Sequence, residues 1–418
     1  MNNATDMFEN LIGQYKGDGP YLHDGERKLI DAASGTFNLP LGYTNQRVAD
    51  KLKQQIDRCT HLSSAYTKPI SDHILTRLKK HLPENIDRIW LRDVSGSGAV
   101  EGAIRMAQKY TGRSGVISLF KSHHGQSLAT AKISGNAFRL QNFTSSIDGS
   151  IKIPTPASEL CNKESSVQSI NSITDLEDFI NFGSCGNIAC IILEPVLGNG
   201  GNIVLPVEFY RQVRKICSKY GIVVIADEVQ TGFGRTGTFF ASTGYAKALK
   251  PDIIVFAKGA GGLGIPTGGI LMRSALDCLE SFEHSSTSGA NPLSLTALNE
   301  TISVIEEDNL LQHVQDNEIH LKNGLLALQE QHELVTNVRG LGYMFGFDVP
   351  SAQIAGMAIE IAGKHGLIIR GSRYGKGRAI KVRPPLTCTK AHIDEIMNKL
   401  ELTFVELAKT LDTLQEVA

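Results

Sequence analysis

Two kinds of hydrophobic pattern alternate along the chain. Apolar runs occupy 116–120, where Ser118 interrupts, and, unbroken, 188–193, 222–226 and 253–257, the length and β-branched content of strands buried on both faces. Between them the period lengthens: Val100, Ala103, Ile104, Ala107 and Tyr110 fall on one helical face, and 206–220 reads as a helix with Pro206 at its start and Gly221 just past its end. Strand and helix alternating from about 90 to 270 predict one large α/β domain around a mostly parallel sheet.

The flanks read differently. Tyr21-Leu22-His23 and Lys28-Leu29-Ile30-Asp31 stand either side of Asp24-Gly25, a hairpin signal. Two helical patterns follow over 46–82, with Leu75, Leu78 and Leu82 on one face. Residues 140–175 are polar and irregular and read as surface connection, closed by Thr174-x-x-Glu177, a capping-box pattern. After His284, long helical patterns (291–310, 311–331, 352–365 and from 389) are interrupted by short strand-like pieces at 344–349, 367–370 and 380–383. The predicted organisation is an N-terminal segment, 1–50, contributing to a small domain, a large α/β domain over 51–310, and a smaller α+β domain over 311–418.

Composition narrows the function classes. Hydrophobic residues at 41% and charged residues at 20% suit a soluble globular protein, and a formal net charge of −1 offers no field for nucleic acid or an anionic membrane. No apolar run approaches a membrane span, and the start, MNNATDMFENLIGQYKG, lacks a secretory pattern, so a cytoplasmic protein is expected. Seven cysteines without a CxxC pair, and adjacent histidines without ligands at metal spacing, give no metal site.

The candidate chemistry lies at strand ends. The run 222–226 is followed by Asp227 and the run 253–257 by Lys258. In an open α/β sheet ligands bind at the carboxyl ends of strands, so both side chains should share one crevice. A carboxylate and an amine there match the needs of a pyridoxal phosphate site: the amine for a Schiff base, the carboxylate to keep the pyridine nitrogen protonated. A buried Asp–Lys ion pair is the plain alternative. Upstream, a short apolar run leads through Ser95-Gly96-Ser97-Gly98 into a helix, an anion site built of free N–H groups, the helix dipole and serine hydroxyls. A tight turn would look the same.

With these residues in place, the chain resembles the class III aminotransferases, the ornithine/4-aminobutyrate type of fold-type-I pyridoxal phosphate enzyme, from about Gly19 to Leu386. ADEVQTGFGRTG (226–237) followed by the lysine of FAKGAGGLGIP (256–266) is the most specific block; SGSGAVEGA (95–103), HHG (123–125), EPVLGNGG (194–201), HSSTSGANP (284–292), VRGLG (338–342) and RPPL (383–386) support it. The resemblance implies that Lys258 carries the cofactor and moves protons, Asp227 pairs with the ring nitrogen, Val229 and His123 flank the ring, Gln230 bonds its phenolic oxygen, and Ser95, Gly96 and Ser97 hold the phosphate. Glu194 joins the cofactor site, Thr287 reaches the phosphate from a neighbouring subunit of a homodimer, and Tyr66, Lys381 and Arg383 are substrate-binding candidates. The implied activity is transfer of an amino group between an amine or amino acid and an oxo acid or aldehyde. Aminomutase, racemase or epimerase, phospholyase and decarboxylase chemistry share the same core, and a non-catalytic binding module is a further reading.

Three positions depart from the family pattern. His123 stands where a tyrosine or phenylalanine is usual. Lys381 replaces an arginine that grips the substrate carboxylate, and a point charge is no substitute for a fork; Arg383, two residues on and on the same side of a strand, is the alternative candidate for the role. Asn199 replaces the glutamate that neutralises that arginine in ornithine-type members. The loss of both partners predicts altered handling of 2-oxoglutarate and glutamate.

Overall fold

Among the described residues seven strands form the central sheet, in the spatial order Arg88–Asp93, Gly268–Met272, Ile253–Phe256, Val223–Asp227, Ile188–Leu193, Gly115–Leu119 and Ser150–Ile153. Only Gly268–Met272 runs antiparallel to its neighbours. This is the α/β, mostly parallel architecture expected from the hydrophobic pattern, seen in a computed structural model that describes residues 13–140, 149–156, 176–184 and 186–417. Side chains alternate across the sheet. Val223 and Ile225 pack with Val100, Ala103 and Ala107 of the helix Gly96–Thr111. Val224 and Ala226 pack on the other face with Phe209, Val213 and Ile216 of the helix Val207–Tyr220. Burial on both faces is why these strands carry unbroken apolar runs.

The helix ends follow local chemistry. Ser95 caps Gly96–Thr111 by accepting from the Gly98 N–H at 3.2 Å. Val207–Tyr220 begins after Pro206 and stops at Gly221, whose φ of +62° takes the left-handed conformation that glycine adopts without a Cβ clash.

Several elements escape the sequence reading, among them Gly268–Met272, the antiparallel strand of the central sheet. Ser150–Ile153 lies inside the stretch taken as irregular, yet pairs in parallel with Gly115–Leu119 at the sheet edge; four residues are too few for a readable period, and their partner is remote in sequence. Val196–Leu197 and Ile203–Val204 form a small hairpin around the 198–201 turn. Thr174 of the capping-box pattern lies outside the described residues.

The N-terminal hairpin pairs Tyr21–Asp24 with Arg27–Asp31, and the latter is joined in parallel by Leu367–Ile368 from the far end of the chain. Thr336–Leu341, Met344–Asp348, Ala379–Val382 and Arg370–Gly371 make an antiparallel sheet covered by the helices Ala352–Lys364 and Lys390–Val417. Arg235 of the GFGRTG segment is buried and donates to the carbonyls of Tyr343 and Pro384 and to the Ser34 hydroxyl, fastening the large sheet's loops to both terminal regions. Among the described residues no helix is long and apolar enough to cross a membrane.

Candidate active site

Asp227 and Lys258 leave neighbouring parallel strands at the same end, Asp227 lying opposite Val255 in the ladder. Asp227 is buried, and its Oδ2 accepts from His124 Nδ1 at 2.7 Å while Oδ1 accepts from the Val229 N–H at 3.2 Å. His124 is buried, and with its Nδ1 proton given to Asp227 its Nε2 finds no partner among the described residues. Lys258 sits at φ +42°, a region a lysine occupies only when its surroundings impose it. Burial pulls its amine below the ordinary lysine range, Arg383 adds to this, and the carboxylates of Asp227 and Glu194 oppose it.

Glu194 joins two turns. Its Oε1 accepts from the His123 N–H at 2.7 Å and its Oε2 from the Gly198 N–H at 3.0 Å. Burial pushes its carboxyl up to about 7; Asp227 adds to that shift, while His124 and the two backbone donors restrain it. The anion turn is similarly built by contacts far apart in sequence. Ser97 Oγ accepts from the Gln126 N–H at 3.0 Å, and a Cβ on Gly96 would meet Val229 at 3.0 Å. Gly268 backs the turn so tightly that a Cβ there would lie 2.8 Å from the Ser95 carbonyl oxygen.

Lys258 opens into a cavity of about 520 Å³ that is also lined by His123, Asn199, Gln230 and Lys381. Phe37, Ile359, Ile368 and Ile369 supply apolar wall, while Arg370 and Tyr374 complete the rim. Among the described residues three basic side chains, Lys258, Arg370 and Lys381, and no carboxylate line this space. Burial, Arg383 and Arg370 hold Lys381 well below the ordinary lysine range. Asn199 is buried with its Nδ2 unpartnered among the described residues, where a substrate acceptor could take its proton. The His123 ring meets Tyr374 edge-on at 6.2 Å.

Arg383 lies behind this cavity rather than in it. Its Nη1 donates to Gln230 Oε1 at 2.6 Å, and its Nη2 to the Gly198 carbonyl at 2.9 Å and to Asn202 Oδ1. The guanidinium stands 4.1 Å and the Lys381 amine 4.8 Å from the centre of the Phe37 ring, so both point to the same side. Tyr66 and Thr287 are exposed and lie outside the cavity lining.

The sequence reading did not single out His124, Arg370, Phe37 or Asp93. Asp93 ends the strand Arg88–Asp93, is buried, and bonds His284 Nε2 at 3.0 Å, anchoring the start of the 284–292 loop. The strand-end rule that found Asp227 would have found it; nothing local marks the others.

The pocket fits a flat, anionic, aldehyde-bearing heterocycle. A buried carboxylate with a fixed donor and an amine that burial pulls below the ordinary lysine range leave adjacent strand ends, and the glycine-backed anion turn packs against Val229 beside them. A family model described as aminotransferase class-III matches residues 2–404. The 5-aminovalerate aminotransferase of Pseudomonas putida is 32% identical over 91% of this chain and 90% of its own. The leucine/methionine racemase of Thermococcus litoralis is 30% identical over 91% of this chain and 88% of its own. Among solved structures, a PLP-bound amine transaminase from an uncultivated Pseudomonas species superposes with a TM-score of 0.85 at 27% identity, covering 94% of each chain.

Proposed function

The chain belongs to the class III aminotransferases, the family of pyridoxal-phosphate enzymes that move amino groups, and from that premise we propose how its own residues divide the work. Bound pyridoxal phosphate would supply an electron-poor ring able to take up the electron pair left when a C–H bond breaks at the substrate carbon bearing the amino group. Lys258 would anchor the cofactor covalently and carry the proton at the substrate carbon that bears the amino group, a task that needs a neutral amine and is served by its burial. Asp227 holds the ring nitrogen protonated, and His124 fixes that carboxylate by donating to Oδ2. The N–H groups and hydroxyls of 95–97 bind the phosphate. Val229 and His123 would flank the ring, and Gln230 would donate to the phenolic oxygen. Glu194 holds the His123 and Gly198 turns in register around them.

The observation that carries this reading is the pairing of Asp227 with Lys258 at adjacent strand ends. The substrates are an amine or amino acid and an oxo acid that bear a carboxylate away from the reacting carbon, received by Lys381 and Arg370 across the apolar wall. The working unit is a homodimer in the cytoplasm, in which the exposed Thr287 of one protomer completes the phosphate site of its partner, and the exposed Tyr66 reaches the substrate entrance.

The test is a panel of amino donors added to the cofactor-loaded enzyme, followed by absorbance and by analysis of the carbonyl product. Conversion of the bound cofactor with stoichiometric carbonyl release is expected for ω-amino acids. Exchange of the α-proton without carbonyl release would replace amino transfer by racemisation.

A further inference from the structure

Arg383 is a cation placed where a cation is costly. It is fully buried, and among the described residues it makes no ion pair with a carboxylate. Desolvation penalises such a group by several kcal/mol unless hydrogen bonds and a counter-charge compensate. Its hydrogen bonds go to three neutral oxygens: Gln230 Oε1, the Gly198 carbonyl and Asn202 Oδ1. Phe37 closes the remaining side with its ring. Asn202 in turn donates to the Phe345 carbonyl, which ties the guanidinium to the strand Met344–Asp348.

Guanidinium donates and never accepts. The atom of Gln230 that faces Arg383 is therefore the amide oxygen, which leaves the amide NH2 free of Arg383 in a side chain that lines the cavity with Lys258. The site leaves no slack: a Cβ on Gly198 would fall 2.2 Å from Gln230 Oε1 and 3.0 Å from Arg383 Nη2. We propose that Arg383 is a positioning residue that locks the Gln230 amide in the one orientation able to donate to the cofactor's phenolic oxygen, and that the ionised oxygen is the counter-charge this buried cation lacks. The assignment rests on the proposed role of Gln230. It removes Arg383 from direct grip on a substrate carboxylate, since both terminal nitrogens are already engaged.

A donor to the phenolic oxygen and a cation behind that donor both favour the ionised oxygen. Loss of either moves the pH midpoint of the bound cofactor's absorption band upward. His123, Lys258, Arg370, Tyr374 and Lys381 line the cavity beside Gln230, and Asp227, His124 and Glu194 lie outside that lining; all stay unchanged in the variants. The experiment compares wild type, Gln230→Ala, Arg383→Met, Arg383→Lys and the Gln230→Ala/Arg383→Met double variant. The readouts are that midpoint, cofactor affinity by titration of the apoprotein, and the apoprotein unfolding midpoint. Gln230→Ala and Arg383→Met are each expected to raise the spectral midpoint by on the order of one unit, with the double variant no further shifted than the larger single. Arg383→Lys keeps the charge without the fork and is expected to restore the midpoint only in part.

A Gln230→Ala shift with no Arg383→Met shift overturns the positioning role and leaves the Gln230 reading standing. No shift in Gln230→Ala overturns that reading itself. A spectral midpoint unchanged in Arg383→Met while the KM for oxo acids rises returns Arg383 to substrate binding. If Arg383→Met does not fold, Gly198→Ala displaces the same amide and is expected to give the same upward shift; an unshifted band there overturns the proposal.

Discussion

Replacing Glu194 with glutamine separates the hydrogen bonds this residue makes from the charge it buries. The carboxylate accepts from two backbone N–H groups, those of His123 and Gly198. A glutamine has one acceptor oxygen, so one N–H is left facing an NH2, at a cost of about 1.5–3 kcal/mol for a lost bond to a charged group. Against this stands the burial of the charge, which raises the carboxyl from 4.5 to about 7. A folded-state value above the unfolded one means that the folded protein binds more protons between pH 4.5 and 7. Stability from this group is therefore complete below pH 4.5 and lost as pH rises through 7. At about 1.4 kcal/mol per unit the loss is roughly 3 kcal/mol across that window, comparable to the lost bond and opposite in sense. Urea unfolding of the apoprotein from pH 4.5 to 8 measures both. The stability of wild type relative to Glu194→Gln is expected to fall by roughly 3 kcal/mol between pH 4.5 and 8. Parallel stability curves over that range would refute the assignment of a raised carboxyl to Glu194.

Asp227→Asn removes the charge opposite the ring nitrogen. The apoprotein is expected to bind pyridoxal phosphate about 10- to 100-fold more weakly, as for a lost charge-assisted bond; unchanged affinity in an absorbance titration would contradict the pairing. Lys381 must be protonated to receive a carboxylate, yet its surroundings favour the neutral amine. The KM for carboxylate-bearing substrates should accordingly climb as pH rises, whereas in Lys381→Arg it should stay flat and 2-oxoglutarate should be used more efficiently; steady-state pH profiles of the two proteins decide this. Gly268→Ala pushes a methyl onto the Ser95 backbone and should lower stability by about 1–3 kcal/mol together with phosphate affinity; an unaltered unfolding midpoint would show that the turn yields.

The α/β core was legible because burial on both faces of the sheet writes itself into sequence as unbroken apolar runs, as at Val223–Asp227 and Ile253–Phe256. The same runs gave away Asp227 and Lys258, since a charge that ends such a strand must emerge at the sheet's carboxyl edge. Caps and breaks, at Ser95, Pro206 and Gly221, were legible for a similarly local reason: they act on backbone within one helical turn.

What tertiary structure alone decided is the company these residues keep. His124 beside Asp227, Glu194 bridging two turns, and Arg383 committed to Gln230 are contacts between segments 71 to 153 positions apart. No periodicity encodes them, because each side chain's partner is set by how strands and loops stack in space. Arg383 shows the limit most plainly: two residues beyond Lys381 and on the same side, it read as an alternative carboxylate clamp. Packing instead gave both its terminal nitrogens to the protein's own oxygens, and only the folded chain could show which acceptor arrives first.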